Sequence, residues 1–105
     1  MVNDTIIANI KKFARKVSEA GFPVEKAILF GSQVKGTASK ESDIDVCLVS
    51  SGFGKDEISE LQFLLKKTGE IDNRIEPIPL STSDYFTNAT PLVLEIKKYG
   101  QEISL

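Results

Sequence analysis

A chain of 105 residues with 41% hydrophobic and 27% charged side chains has ordinary globular composition, which argues for one compact core and against disorder or a fibrous repeat. It has no histidine, which removes Ser/His/Asp triads, Cys/His pairs and histidine-based zinc sites; its lone Cys47 forms neither an internal disulfide nor a cysteine-rich metal centre, so any catalysis must rest on carboxylates. Thirteen basic against fifteen acidic side chains give a net charge of -2, so there is no broad cationic surface for nucleic acid, and the first residues lack the apolar run of a signal peptide or membrane span; a cytoplasmic location is expected.

From Asn3 the pattern predicts a helix, with Asn3 or Asp4 as cap and Ile6, Ile7, Ile10, Phe13, Ala14 and Val17 recurring at three- and four-residue steps. Gly21 and Pro23 end it. Lys11, Lys12, Arg15 and Lys16 make the other face basic, which raises a membrane-surface helix as the alternative to a helix packed on its own sheet; the second use is far commoner for such a pattern. Residues 26–30 form a short apolar run that fits a buried strand, and 31–42 a polar, glycine-containing loop. Residues 43–49 alternate acidic with apolar side chains before becoming wholly apolar, which suits a second strand. Across 56–68, Ile58, Leu61, Leu64 and Leu65 fall at helical spacing and Gly69 follows. Residues 74–80 predict a third strand, placed at a sheet edge because Pro77 and Pro79 cannot donate to a ladder. Thr90 caps a last helix with Pro91 at its first position, Leu92, Val93 and Ile96 inward, and Gly100 as terminator. The order predicts an α+β (α/β) fold, one domain over residues 1–105: a small mixed β-sheet with helices on one face and the other left for a ligand or a partner subunit.

Asp43 and Asp45 are the first chemical clue. Residues at i and i+2 of a strand project to one face, about 7 Å apart, and aspartate is disfavoured in strands, so two at the mouth of an apolar one imply a further role. By the same parity Glu76 shares a face with Arg74 and Ile78, and it reaches the pair if its strand lies next to theirs. Two carboxylates about 5 Å apart repel by roughly 3 kcal/mol at an effective dielectric near 20, a repulsion that a hard divalent cation such as Mg²⁺ or Mn²⁺ relieves. The bland alternative has Asp43 capping a turn and Asp45 facing solvent. The second clue is Phe30-Gly31-Ser32, where a strand ends on a glycine that lets backbone amides approach phosphate and on a hydroxyl that adds a donor. Gly36 is expected to serve close packing. The run Gly31 to Thr37 has the glycine spacing of a P-loop, but Thr37 stands where the phosphate-binding lysine belongs, so that reading fails.

The run Ile28-Leu29-Phe30-Gly31-Ser32, then ten residues, then Asp43-Ile44-Asp45-Val46, resembles the Gly-Ser, Asp-x-Asp signature of polymerase-beta-type nucleotidyltransferases. More closely, the chain is similar to the minimal nucleotidyltransferases, antitoxins paired with a helical HEPN toxin (HEPN/MNT modules), and the Glu-Ile-x-x-x-Gly-x-x-Ile ending extends the likeness over nearly the whole chain. The resemblance implies a polymerase-beta-type fold. It also implies that Gly31 and Ser32 hold a triphosphate, that Asp43 and Asp45 bind two divalent metals, and that Glu76 is the third carboxylate, ligating a metal and helping deprotonate the acceptor. The implied donor is ATP, with AMP moved to a hydroxyl and pyrophosphate released. Two positions depart from the family pattern: Glu76 stands where aspartate is usual, and Gln33 where many relatives have arginine, a charge that Lys35 or Lys40 would replace. Ser42 is expected to orient the metal ligands by hydrogen bonding. Cys47 lies deeper on the face of the aspartates and reads as a core or interface residue.

Two other functions compete with transfer to a tyrosine or serine of a partner protein. One is a binding module that neutralises a helical toxin by covering it. The other is transfer to a small molecule of aminoglycoside type, against which length counts, since such relatives build the acceptor pocket with an additional domain. For the same reason a homo- or hetero-oligomer is expected.

Overall fold

In the computed structural model, which describes residues 3–39 and 42–105, Asn3 caps helix α1 (Asp4–Glu19) by accepting the Thr5 N–H at 2.7 Å. The cap satisfies an amide that has no partner within the helix. Ile6, Ile10, Phe13, Ala14 and Val17 are buried while Lys11, Lys12 and Arg15 stay exposed, so the basic face is the solvated side of a helix packed on its own sheet. No helix among the described residues is long and apolar enough to cross a membrane.

The sheet has four strands, β1 (Val24–Phe30), β2 (Ile44–Ser50), β3 (Ile75–Ser81) and β4 (Gln101–Ile103), in the order β3-β2-β1-β4. β1 pairs antiparallel with β2 and β4, and β2 pairs parallel with β3, so the sheet is mixed. A parallel pair needs a crossover, which α3 (Glu57–Thr68) supplies. β3 lies at the edge, as its prolines predict: the Ile44 N–H donates to the Arg74 carbonyl at 2.7 Å, so by the period of two the backbone of Glu76, Ile78 and Leu80 faces β2 and that of Pro77 and Pro79 faces the open side. β4 was not predicted from sequence; three residues are too few to show alternation, and Ile103 is its only buried residue.

Helices lie on both faces, which corrects the expectation of one covered face. Ala27, Leu29, Ile44, Val46, Leu48 and Ile75 point toward α1 and α3 in the main core. Ile28, Cys47 and Val49 point the other way, against Tyr85 of the short α4 (Thr82–Phe86) and Val93 and Ile96 of α5 (Pro91–Tyr99). Thr90 caps α5 by accepting the Val93 N–H at 3.3 Å, with Pro91 opening the helix. This second cluster does not include Asp45 or Glu76, so one end of that face stays polar.

α3 forms where its spacing predicts but is turned about its axis. Of the four apolar residues only Leu64 is buried; Ile58 is 73% exposed, Leu61 40% and Leu65 49%. Glu60 and Thr68, one turn before and after Leu64, complete the buried ridge. Glu60 takes the buried place because its carboxylate accepts the backbone N–H groups of Gly54, Lys55 and Asp56 at 2.9, 3.1 and 3.0 Å. Burial pushes its pKa up, yet these three donations outweigh it and hold the group below its ordinary value.

Candidate active site

β1 hands over to a one-turn helix, α2 (Ser32–Lys35), through Gly31 at φ 75°, ψ -149°, a conformation that side chains with a Cβ rarely adopt. A Cβ there would also collide with Oδ2 of Asp45. Val34 and Lys35 donate their N–H groups to the Gly31 carbonyl at 3.2 and 3.1 Å, which closes the turn. Gly36 ends α2 at φ 76° with nothing near its missing Cβ, so it answers a left-handed backbone and not the close packing expected of it. Gln33 Nε2 donates to the Asp43 carbonyl at 3.3 Å and ties this turn to the entrance of β2.

Strand register gathers the acids. Phe30 pairs with Asp45 across the antiparallel β1–β2 ladder, and Asp45 pairs with Glu76 across the parallel β2–β3 ladder, so both carboxylates stand on one face beside Gly31. Asp43 lies just before β2, exposed, two residues from Asp45. The Glu76 carboxyl is within hydrogen-bonding reach of both aspartates. Its pKa is raised by desolvation first and then by the charges of Asp43 and Asp45. Asp45, half-buried, is raised by burial and by Asp43, while its hydrogen bond with Glu76 acts the other way. Three mutually repelling acids at the mouth of an apolar strand, next to a turn that only glycine makes, is the arrangement on which the sequence expectation depended.

The nucleotidyltransferase domain family matches residues 10–100. The chain belongs to that family. Its sheet and helices match a provisionally named nucleotidyltransferase from Sulfolobus solfataricus at a TM-score of 0.56 and 20% identity, over 95% of this chain and 86% of the other. They match a toxin-antitoxin structure with AMP-PNP at 0.64 and 20%, over 93% of this chain and 72% of that one. No curated protein matches the chain in sequence.

In this nucleotidyltransferase domain the remaining expected site residues are placed unevenly. Ser32 opens α2 beside Gly31, and Lys35, exposed in its only turn, lines a cleft with Gly31. Ser42 points elsewhere: its hydroxyl accepts the Ser39 N–H at 2.8 Å and lies 3.2 Å from the Ser39 hydroxyl, so it braces the loop and no bond joins it to the acids. Lys40 lies outside the described residues. Cys47 is fully buried in the second cluster and its thiol is pushed up to about 12, which makes it an inert core residue. Glu95 and Tyr99 also line the cleft at Gly31 and were missed; they sit one turn apart on α5, and nothing in the sequence relates that helix to residue 31.

The donor set suits a hard divalent cation. Asp43, Asp45 and Glu76 offer only oxygen, the raised pKa values of Asp45 and Glu76 show charge that a cation would relieve, and the absent Cβ of Gly31 leaves room for the Asp45 carboxylate. Among the described residues no group of three or more His, Cys, Asp or Glu side chains is arranged so that it could hold a metal ion as it stands.

Proposed function

We propose that this nucleotidyltransferase domain moves a nucleoside monophosphate, AMP from ATP, onto a hydroxyl of a partner protein with Mg²⁺ or Mn²⁺, and serves as the antitoxin of a HEPN-type helical toxin in the cytoplasm. The observation that carries the reading is the meeting of Asp43, Asp45 and Glu76 beside Gly31. A divalent metal supplies charge neutralisation at the phosphates and orients in-line displacement. Asp43, Asp45 and Glu76 would hold it. Gly31 and Ser32 hold the triphosphate, with Lys35 balancing its charge from the same turn. Glu76, opposite Asp45 in the strand register, takes the acceptor proton as the acceptor oxygen bonds to the α-phosphorus and the bond to pyrophosphate breaks. The partner reading draws on the fold shared with the toxin-antitoxin structure that holds AMP-PNP.

Intact mass of the partner after incubation with this protein, ATP and Mg²⁺ tests the reading. A gain of whole AMP units is expected, lost in Asp43→Asn with Asp45→Asn; a gain that survives that double substitution refutes it. The apolar stripe Ile58, Leu61, Leu65, open to solvent on α3, favours a second reading in which the domain neutralises a helical partner by covering it. Full neutralisation by the double variant, with an unmodified partner, selects that reading.

A further inference from the structure

A cleft of about 170 Å³ opens at the Gly31 turn, lined by Phe30, Gly31 and Lys35 on one side and by Glu95 and Tyr99 of α5 on the other. The α5 side is fixed. Val93 and Ile96 are buried in the second cluster, and a Cβ on Gly100 would collide with the Ile28 side chain and the Ile96 carbonyl, so the helix end is pressed onto β1 directly after Tyr99. Glu95 and Tyr99 are four residues apart, one above the other on one helix face. Tyr99 is 55% exposed although aromatic, and Lys98 Nζ lies 5.3 Å from its ring centroid.

We infer that this cleft receives the base of the donor nucleotide, and that the base carries an exocyclic amino group, as adenine does. The inference rests on the reading that Gly31 and Ser32 hold the triphosphate. A nucleotide bound there must send its nucleoside into a neighbouring space, and the cleft shares Gly31 with the phosphate turn. Its walls have the chemistry of a base site: the aromatic side chains Phe30 and Tyr99 for stacking, and a carboxylate, Glu95, that accepts from an amino group and repels a carbonyl oxygen. Lys35, on the cleft wall and in the same short helix as Ser32, matches the phosphate end of the ligand. Base choice would then be set by α5, far from Gly31 in the sequence but across the cleft from it in space.

Calorimetric titration of the full chain in Mn²⁺ with three probes tests this: a nonhydrolysable ATP analogue, the corresponding UTP analogue, and inorganic tripolyphosphate. Tyr99→Ala should weaken the ATP analogue tenfold or more and change tripolyphosphate less than twofold, and Tyr99→Phe should restore the affinity. Glu95→Ala should shrink the preference for the ATP over the UTP analogue several-fold. If tripolyphosphate binds and Tyr99→Ala leaves the ATP analogue unchanged, the base site is overturned while the phosphate reading stands; a raised KM for the acceptor in that variant would then give the cleft to the acceptor. If the unmodified protein binds neither tripolyphosphate nor nucleotide, both readings fall together.

Discussion

Glu76 stands directly across from Asp45 in the parallel β2–β3 register, and its carboxyl reaches Asp43 as well. Nothing in the main core requires this. Ile44 and Ile75, the preceding register pair, are both buried and would align the strands equally well with neutral residues at the next position. The three acids therefore cost stability in the metal-free protein. Asp45→Asn should raise metal-free stability by about 1 kcal/mol, since it removes repulsion from a partly solvated cluster. The proposed function predicts that Mg²⁺ with an ATP analogue raises the melting temperature of the unmodified protein, and the same change should abolish that rise. Differential scanning calorimetry with and without the metal nucleotide measures both.

The same cluster sets a pH dependence with an unusual sign. Asp45 and Glu76 have raised folded-state pKa values, so the folded protein binds protons that the unfolded chain has released. Their stabilising contribution is fully present below the unfolded values and is lost as pH rises through the raised folded ones. Metal-free melting temperature should fall as pH climbs past the ordinary carboxylate range, and Asp43→Asn should flatten that fall. Melting curves in a chelator across mildly acidic to neutral pH decide it; an equal slope in the variant would exclude the cluster as its source.

The elements with strong local signals were legible in the sequence: the Asn3 and Thr90 caps, the apolar stripe of α1, and the edge position of β3 from Pro77 and Pro79. So was the grouping of the acids beside Gly31, because the turn and the Asp43-x-Asp45 spacing are local, and Glu76 joins them once β3 lies next to β2. What could not be read was set by distant partners. The rotation of α3 depends on three amides of the preceding loop reaching Glu60, which override an apolar spacing that by itself places Ile58 and Leu61 inside. The covering of the second sheet face depends on Tyr85, Val93 and Ile96 docking on Ile28, Cys47 and Val49, a match of shape between segments far apart in the chain. Sequence proximity of Ser42 to Asp43 is no guide to its bonding, because Ser39, on its other side, engages its hydroxyl.

Gly31→Ala should harm the site more than the fold. At φ 75°, ψ -149° the backbone lies where essentially only glycine goes, so an alanine costs about 1–3 kcal/mol from backbone alone, and its methyl group would push the Asp45 carboxylate out of place. Gly36→Ala supplies the control, with a similar φ and no neighbour for the new methyl. Both variants should lose stability by chemical denaturation, Gly31→Ala somewhat more because its ψ of -149° is less tolerant of a Cβ than the 15° of Gly36, while Mn²⁺ affinity falls at least tenfold only in Gly31→Ala. Equal Mn²⁺ affinity in the two would contradict the steric account.

Glu60 is a structural acid whose loss should be severe for a side chain of its class. In Glu60→Ala the amides of Gly54, Lys55 and Asp56 lose their acceptor, at a cost of about 2–4 kcal/mol for a buried charged hydrogen-bond centre. Glu60→Gln keeps one acceptor oxygen and should lose roughly half as much. Urea denaturation of the two variants gives the comparison, and hydrogen exchange at residues 54–56 should speed up in both.

Asp72 guards the register on which the acidic cluster depends. Its Oδ1 accepts the Arg74 N–H and Nε–H at 3.0 and 3.1 Å, and its Oδ2 accepts from the same guanidinium at 2.8 Å and from Asn9 Nδ2 at 3.3 Å. These bonds, the Arg74 guanidinium first, hold its pKa down to about 2. They also fix the carbonyl of Arg74 that receives the Ile44 N–H, the first rung between β2 and β3, one residue before Asp45 on β2 and two before Glu76 on β3. A depressed carboxylate stabilises above its unfolded pKa and loses that contribution as pH falls toward the folded value, so this clamp should release between about pH 4 and pH 2, opposite in direction to the cluster it positions. Asp72→Asn should cost about 1–2 kcal/mol at neutral pH, flatten the acid limb of the stability profile, and weaken Mn²⁺ binding although residue 72 touches no acid of the site. Acid titration followed by circular dichroism, with Mn²⁺ calorimetry on the same variant, separates these effects: a flattened acid limb with unchanged Mn²⁺ affinity would mean that the first rung of β3 does not govern how Glu76 meets Asp45.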